Sequence, residues 1–333
     1  MIRLLARRLA WAVFVIWAVT SIAFVVNNVL PSDPARMIAG PQARPGDVAR
    51  IRKQLGLEQP LGQQYGSFLR RLVHTGPTTV APDDKEHANC ATFGPIHLDL
   101  GRSYQQRRPV VVVLGERLPR TLWLAAAAML AQVLLGVATG VFAAVRRNTV
   151  WDHLAVGGSL LGISAPTFLL GLGLQFLFAH ELRWLPLDGY GLTFADHAVC
   201  VVLPALTLGI FGAAFYTRLV RDEMIGLMKR DYVRTARAKG LPEWKVITRH
   251  ALRNALMPLV TVIGLDLGAL VGGAIVTETL FRWPGIGALS VTALLDRDGP
   301  VIMGTVLLTS TAIVLSNVAV DLMYAALDPR VRK

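Results

Sequence analysis

Six long apolar runs restrict what this chain can fold into. Five of them contain no Asp, Glu, Lys or Arg over 20 to 26 residues: Leu9–Leu30, Thr121–Val145, Leu154–Ala179, Ala198–Thr217 and Val301–Val320. A sixth run, Ala255–Leu280, carries Asp266 near its middle and Glu278 near its end. A bilayer core requires about 20 mostly apolar residues per helix. The sequence therefore predicts an all-α, polytopic membrane protein with six transmembrane helices in one domain over residues 1–333.

The composition excludes several other classes of protein. Charged residues make up 17% of the chain, whereas about 25% is typical of soluble domains. Apolar surface is too abundant for a disordered chain, and two Cys cannot build a disulfide scaffold. The first run is also longer than the apolar core of a signal peptide and lacks a small-residue cleavage site, so we expect it to be retained as a span.

The distribution of basic residues predicts the orientation and accounts for the net charge of +12. With six spans, the side of the termini carries 18 Lys and Arg, and the short loops of the other side carry 3. Short cytoplasmic loops are enriched in Lys and Arg. We therefore expect both termini in the cytoplasm, the segment at residues 31–120 outside and the loop at residues 218–254 inside. Because the charge follows topology, it does not indicate nucleic-acid binding.

The long outer segment is predicted to contain two short helices and an irregular insert. Asp47–Leu57 and Gln63–His74 have helical apolar spacing, and Thr75–His97 is rich in Pro, Thr and Asp. The insert region carries side chains that bind transition metals: His74, His87, Cys90 and His97. Their spacing matches no compact metal-binding pattern, so the sequence predicts a solvated loop and no metal site. A disulfide between Cys90 and Cys200 remains open at this stage.

The fifth span contains a carboxyl group near its centre, where an ionised side chain has a high free energy of insertion. An ionised Asp at a helix centre costs about 2.5–3.5 kcal/mol on insertion scales, so Asp266 should face protein or water. Glu278 lies near the span end, where we expect interfacial water to lower that cost. Gly264, Gly268 and Gly272 are four residues apart on one helix face, a spacing that permits close helix packing. We expect these five residues to line the pore or an interface.

The sequence of the basic inner loop predicts two helices separated by a break. Asp231–Lys239 contains good helix formers, Gly240 and Pro242 end the helix, and a helical pattern resumes at Glu243. A basic stretch beside a membrane can also bind anionic lipid head groups. The helix, break and second helix favour a protein partner over lipid alone.

The chain contains no nucleotide-binding or catalytic motif. A P-loop, HExxH, GxSxG and CxxC are all missing from the sequence. We therefore predict that the chain is not an enzyme and binds no cofactor, and that any ATPase is another chain.

Two stretches of the inner loop resemble a known family. Asp231–Gly240 reads DYVRTARAKG and Arg249–Pro258 reads RHALRNALMP. Asp99–Tyr104, DLGRSY, and Thr277–Gly287, TETLFRWPGIG, lie at the corresponding places in the topology. Together they resemble the permeases of ABC importers of the dipeptide, oligopeptide and nickel group. Arg234 stands where the general permease pattern has Glu.

The resemblance implies a type I ABC importer permease fold and a pore-forming subunit of a prokaryotic inner membrane importer. It further implies a second homologous permease, two cytoplasmic ATPase subunits that use ATP and Mg, and an extracytoplasmic substrate-binding protein. The substrate it implies is a peptide, with nickel or another metal chelate as the alternative. From the residues alone, a stand-alone channel, a secondary transporter and a membrane scaffold or sensor remain open.

The resemblance also assigns the ATPase-coupling role to the first helix of the inner loop. Its residues are Asp231, Tyr232, Arg234, Thr235, Ala236, Arg237, Ala238, Lys239 and Gly240. Tyr232, Arg234 and Arg237 would anchor the partner, while Ala236 and Ala238 would allow its close approach.

Overall fold

Among the residues that the structure describes, five helices are long and apolar enough to cross a bilayer, and a sixth span results if one bent helix pair counts as a single span. The computed structural model describes residues 2–29, 34–40, 42–54, 56–77, 87, 89–272 and 274–327. Its helical fold agrees with the sequence prediction. The chain forms two compact units: Ile2–Arg120 with Gly285–Val314, and Thr121–Pro284 with the chain from Leu315 onward.

The helices and strands up to the second span are α1 (Ile2–Val29), α2 (Pro34–Ala39), α3 (Pro45–Gln54), α4 (Leu61–Leu72), β1 (Val73–Thr75), β2 (Cys90–Phe93), β3 (Ile96–Asp99) and α5 (Val110–Val145). The two helices predicted in the outer segment correspond to α3 and α4. Helix α4 packs on α1, where Tyr65 and Phe68 contact the buried ring of Phe24.

The remaining elements are α6 (Val150–Ser164), α7 (Thr167–Leu174), a π-helix (Gln175–Glu181), α8 (Phe194–Cys200), α9 (Val202–Leu227), α10 (Asp231–Ala238), α11 (Glu243–Lys245), a second π-helix (Val246–Leu252), α12 (Arg253–Val271), α13 (Ile275–Leu280), α14 (Ile286–Leu295) and α15 (Gly299–Leu327).

A small antiparallel sheet replaces part of the insert predicted to be irregular. The strand order is β1-β3-β2. His97 of the central strand β3 pairs with His74 of β1 on one side and with Thr92 of β2 on the other. Strands of three or four residues are too short to produce a clear alternating pattern, which explains the error. Residues 78–86 of this insert lie outside the described residues.

Two spans predicted as continuous helices are broken. The third bends by 107° between Ser164 and Thr167, because Pro166 lacks a backbone N–H and forces Ala165 into an extended conformation. The fifth ends at Val271 and resumes as the separate helix α13, so the predicted span Ala255–Leu280 was wrong at its end.

Helices extend into both ends of the loop predicted at residues 218–254. Helix α9 continues through Arg218 to Leu227, because this stretch contains no Pro that would end it. Arg253 already belongs to α12. The connection between the two spans therefore consists of α10, α11 and the second π-helix.

The core of the second unit is built around α9. Tyr216, Val220 and Met224 are fully buried and pack with Ala251 and Ala255. Helix α5 lies directly against this face of α9. A Cβ on Gly136 would clash with the Cβ of Tyr216, and one on Gly140 would lie 2.7 Å from the Thr217 carbonyl oxygen. The small residues of α5 therefore permit close helix packing.

Candidate coupling helix and polar groups within the spans

Helix α10 is an eight-residue helix with defined ends. Asp231 lies in its first turn, where a negative charge is favourable, and Arg230 before it is extended. Gly240 has φ +76°, a conformation that L side chains rarely adopt, and Pro242 follows two residues later. The turn predicted at Gly240 is confirmed. A substitution there is disfavoured by the backbone alone, because a Cβ would meet no atom within 4 Å.

One face of α10 is buried in the chain itself. Val233 and Ala236 form a small core with Val246 of the second π-helix, against which Leu241 packs. This core fixes α10 to the second π-helix, which leads directly into α12. Ala236 is 5% exposed, so the prediction that it lets a partner approach closely was wrong. Its small side chain instead permits packing within the loop.

The other face of α10 is exposed. It presents Asp231, Tyr232, Arg234, Thr235, Arg237, Ala238, Lys239 and the turn at Gly240. These residues include all of the predicted coupling set except Ala236. The exposed face is therefore mixed in charge, predominantly basic and available to a partner.

Arg237 is engaged inside the loop by a residue that the sequence analysis did not select. Its Nη2 donates to Oε1 of Glu243 at 2.6 Å, and its Nε lies 3.1 Å from Oε2. The hydrogen bond that the Arg237 guanidinium donates to Glu243 raises the pKa of Arg237 above its ordinary value. The pair bridges the Gly240 turn and joins α10 to α11. The sequence does contain a signal for this ion pair, because a basic residue precedes the turn and an acidic residue follows it.

Two further contacts orient exposed residues of α10. Asn254 Nδ2 donates a hydrogen bond of 3.0 Å to the hydroxyl of Tyr232. Arg234 Nη1 lies 3.9 Å from Asp231 one turn earlier, a weak ion pair between exposed side chains. Tyr232 is thus held at its hydroxyl end, while Arg234 remains able to bind a carboxylate of another chain.

A bidentate ion pair joins α6 to the C-terminal part of α9. Arg221 Nε and Nη2 donate to the two carboxylate oxygens of Asp152 at 2.6 and 2.8 Å. The Asp152 carboxylate also accepts from the backbone N–H of Asn148, and its side chain is nearly buried. Neither residue was a predicted site residue, because a pairing across 69 positions leaves no local pattern.

Asp266 lies inside the chain. Its Oδ2 accepts a hydrogen bond of 2.8 Å from the hydroxyl of Tyr216, and Gln132 Nε2 lies 3.4 Å from the same hydroxyl. Gln132 and Tyr216 are buried, and Asp266 is half-buried. The expectation that Asp266 avoids lipid is consistent with this geometry. The cost of its carboxyl group is offset by hydrogen bonding and partial exposure.

Glu278 differs from its prediction. It is fully buried, so its carboxyl group does not lie at the exposed, interfacial position that the sequence predicted. Its Oε1 accepts a hydrogen bond of 3.0 Å from Thr121 Oγ1 at the start of the membrane part of α5. The span-end argument failed because α12 ends at Val271, and Glu278 belongs to the short helix α13 that packs under α7 and α9.

The predicted glycine stripe falls on α12 and its end. Gly268 is buried, Gly264 is half-buried, and Gly272 closes the helix with its N–H bonded to the Gly268 carbonyl at 3.0 Å. The stripe therefore runs along one side of α12 up to the break before α13. Its predicted role in the pore or an interface stays a prediction.

Comparison with protein families accounts for both ends of the chain. Residues 136–333 match the binding-protein-dependent transport system inner membrane component. Residues 1–125 match the N-terminal region of the same kind of component.

Similar chains occur among characterised bacterial permeases. The chain is 39% identical over 332 residues to the glutathione transport system permease protein GsiC of Escherichia coli O6:H1. The same identity relates it to GsiC of Shigella flexneri serotype 5b and of Salmonella paratyphi A. Each alignment covers 100% of this chain and 99% of the relative.

Family membership decides three predictions made from the sequence, those on partner proteins, on enzymatic activity and on membrane location. A component of this kind works with an ATPase and a substrate-binding protein, and ATP hydrolysis takes place in separate subunits. The chain is thus a multi-pass inner membrane protein and not an enzyme. It belongs to the binding-protein-dependent transport system inner membrane components, the permease subunits of type I ABC importers.

Proposed function

We propose that this chain forms half of the translocation path of an importer for short peptides. The chemistry of the relatives' named substrate supports this class, because glutathione is a tripeptide. The second half would be a homologous permease, and an extracytoplasmic binding protein would deliver the substrate. Nickel or another metal chelate is the alternative cargo.

The observation that carries the coupling proposal is the exposed face of α10. Its buried face is fixed by Val233 and Ala236, and its far end is tied to α11 by the pair Arg237–Glu243. A short helix held along its buried face and at its C-terminal end would transmit the movement of a partner through the second π-helix to α12. Two ATPase subunits, one for each permease, would bind ATP and Mg and contact this helix.

The charge distribution supports an inward-facing α10 and cytoplasmic termini. The short loops on the α10 side carry 18 basic residues against 3 on the other side. In this orientation the segment that contains α2, α3, α4 and the small sheet faces the binding protein. ATP binding would then close the ATPase pair and move α10, and the path would open to the outside.

The hydrogen-bonded carboxyl groups within the membrane form the second part of the proposal. Asp266 and Glu278 lie on either side of the break between α12 and α13, together with the glycines of α12. A break in a membrane helix gives backbone groups that can contact a polar substrate. We place Gly264, Asp266, Gly268, Gly272 and Glu278 at the path or at the contact with the second permease.

Uptake by reconstituted vesicles tests the substrate class. The complete importer in proteoliposomes, with ATP enclosed on the ATPase side, should accumulate labelled glutathione, dipeptides or short oligopeptides when the binding protein is added outside. A variant of the ATPase that cannot hydrolyse ATP is the control. Accumulation of a nickel chelate without peptide uptake would select the alternative cargo. Downhill flux of solute without ATP would favour a channel.

A further inference from the structure

Three histidines that are distant in the sequence meet at the edge of the small sheet. The strand register places His74 of β1 directly opposite His97 of β3, and His87 lies just before β2. One ligand atom from each of the three side chains lies within 4.8 Å of the others. The ring centroids are 4.6 to 5.6 Å apart. The sequence prediction of a solvated loop with scattered histidines therefore does not describe this cluster.

Backbone carbonyls determine which ring nitrogens carry a lone pair. His74 Nδ1 lies 3.0 Å from the carbonyl oxygen of Arg71, and His97 Nε2 lies 3.0 Å from that of Pro77. A carbonyl oxygen only accepts, so each of these nitrogens is the protonated one. The lone pairs are thus on His74 Nε2 and His97 Nδ1. Metal-binding histidines commonly donate their other N–H to a carbonyl in this way.

The burial of His97 provides an independent observation that points to a ligand at this cluster. Its side chain is fully buried, and its Nδ1 has no hydrogen-bond partner within the part of the chain that the structure describes. A buried nitrogen lone pair without a partner is unfavourable, and such groups are rare in folded proteins. A cation bound at the cluster would satisfy it.

A sulfur atom and a glycine complete the cluster. Cys90 Sγ lies 3.8 Å from His74 Nε2, the nitrogen that carries the lone pair. A Cβ on Gly76 would lie 2.6 Å from His87 Nε2 and 2.9 Å from His97 Nε2. Only a residue without a side chain lets these two rings approach here. A side chain at position 76 would therefore displace the rings of His87 and His97.

We propose that His74, His87 and His97 bind one divalent transition metal ion, with Cys90 as a fourth ligand. Three imidazoles and a thiolate suit Zn²⁺ in tetrahedral geometry, with metal–nitrogen distances of about 2.0–2.1 Å. Ligand nitrogens would then be about 3.3–3.5 Å apart, so the cluster contracts by about 1 Å when the ion binds. The ion holds β2 and the chain before it against β1 and β3. It is a resident structural ion and not cargo.

Metal content of the purified importer tests the site without relying on transport. After treatment with a chelator and titration with Zn²⁺, the intact complex should retain one ion per copy of this chain. His87→Ala and Gly76→Val should each lower Zn²⁺ affinity by about tenfold or more. His153→Ala is the matched control, because His153 also bonds a backbone carbonyl but lies outside the cluster. Equal Zn²⁺ retention by all four proteins would overturn the proposal.

Cobalt provides a spectroscopic measurement that a misfolded variant cannot imitate. Co²⁺ in the chelator-treated complex should give the intense visible bands of tetrahedral coordination, with a sulfur charge-transfer band that Cys90→Ser removes. Variants are compared only if they elute with the ATPases at the volume of the parent complex. Octahedral Co²⁺ bands in such a complex would contradict the ligand set.

The distinction from cargo rests on the proposed importer function and is tested separately. Radioactive zinc bound to the complex should remain bound through many cycles of ATP-driven peptide uptake. Release in proportion to turnover would overturn the structural role. A complex that retains zinc but fails to import peptide would contradict the proposed cargo and leave the metal site standing.

Discussion

The polar side chains within the membrane show what a sequence can and cannot predict at the scale of a residue. The cost of an unpaired carboxylate in a bilayer made Asp266 a candidate for burial in protein. Its partner Tyr216 lies 50 positions earlier on another helix, and only the packing of α9 against α12 joins them. Glu278 was misjudged for the same reason, because its burial depends on a helix break that the apolar pattern did not reveal.

We predict that Tyr216 and Asp266 are energetically coupled. Interhelical hydrogen bonds in membranes contribute about 0.6 kcal/mol on average and at most about 1.7 kcal/mol. A double-mutant cycle with Tyr216→Phe and Asp266→Leu, each of which removes the hydrogen bond, should give a coupling in this range for the free energy of unfolding in detergent. Asp266→Leu should destabilise the chain more than Asp266→Asn, because Leu leaves the Tyr216 hydroxyl without its acceptor. Strictly additive effects of the two substitutions would contradict the coupling.

The turn at Gly240 gives a second prediction with a control in the same chain. Gly240→Ala should destabilise α10 by about 1 kcal/mol, since Ala is strained at φ +76°. Gly226→Ala on α9 should be neutral or stabilising, because a Cβ there also meets nothing within 4 Å and the backbone is helical.

The measurement for the Gly240 turn is substrate-stimulated ATP hydrolysis by the assembled importer. Gly240→Ala should lower this stimulated rate while leaving basal hydrolysis by the ATPase subunits unchanged. The Gly226→Ala importer should match the parent in both rates. Full stimulation in the Gly240 variant would show that the left-handed turn is not needed for coupling.

At the scale of elements, apolar runs locate the spans well and their interruptions poorly. Four of the six predicted spans are helices close to their predicted places, because a charge-free run of 20 residues has few alternatives. The bend in the third span was visible in the sequence as Pro166, since Pro disfavours helix at the residue before it. The end of α12 had a weaker signal, the two consecutive glycines at positions 272 and 273 of the sequence. The small sheet had none, because its register depends on contacts across the insert.

The packing of α5 on α9 leads to a prediction at this scale. Gly140→Val should prevent the close approach of the two helices, because even a Cβ would lie 2.7 Å from the Thr217 carbonyl oxygen. Gly158→Val on α6 is the matched control, as a Cβ there meets nothing within 4 Å. We expect Gly140→Val to lower the yield of assembled complex and its melting temperature by several degrees, measured by fluorescence-detected size exclusion. Equal behaviour of the two variants would contradict the packing.

At the scale of the whole molecule, the helical fold and the family resemblance could be predicted from the sequence. The exposed face of the candidate coupling helix could be identified only in the structure. The inner-loop motif placed the candidate helix at Asp231–Gly240, and α10 occupies Asp231–Ala238. Which side of that helix meets a partner depends on the burial of Val233 and Ala236 against Val246. A helical pattern of eight residues has no unique buried face until its neighbour in the π-helix is known.

The contact between α10 and an ATPase is the most direct test of the account. A photoreactive residue in place of Arg234 or Ala238, both exposed, should cross-link to the ATPase subunit in the assembled importer. The same residue in place of Glu58, in the outer segment, should not. The yield at Arg234 should also change when ATP is bound, since the proposed mechanism moves this helix. An active importer that gives no ATPase cross-link from either α10 position, or gives one from Glu58, would contradict both the coupling site and the orientation.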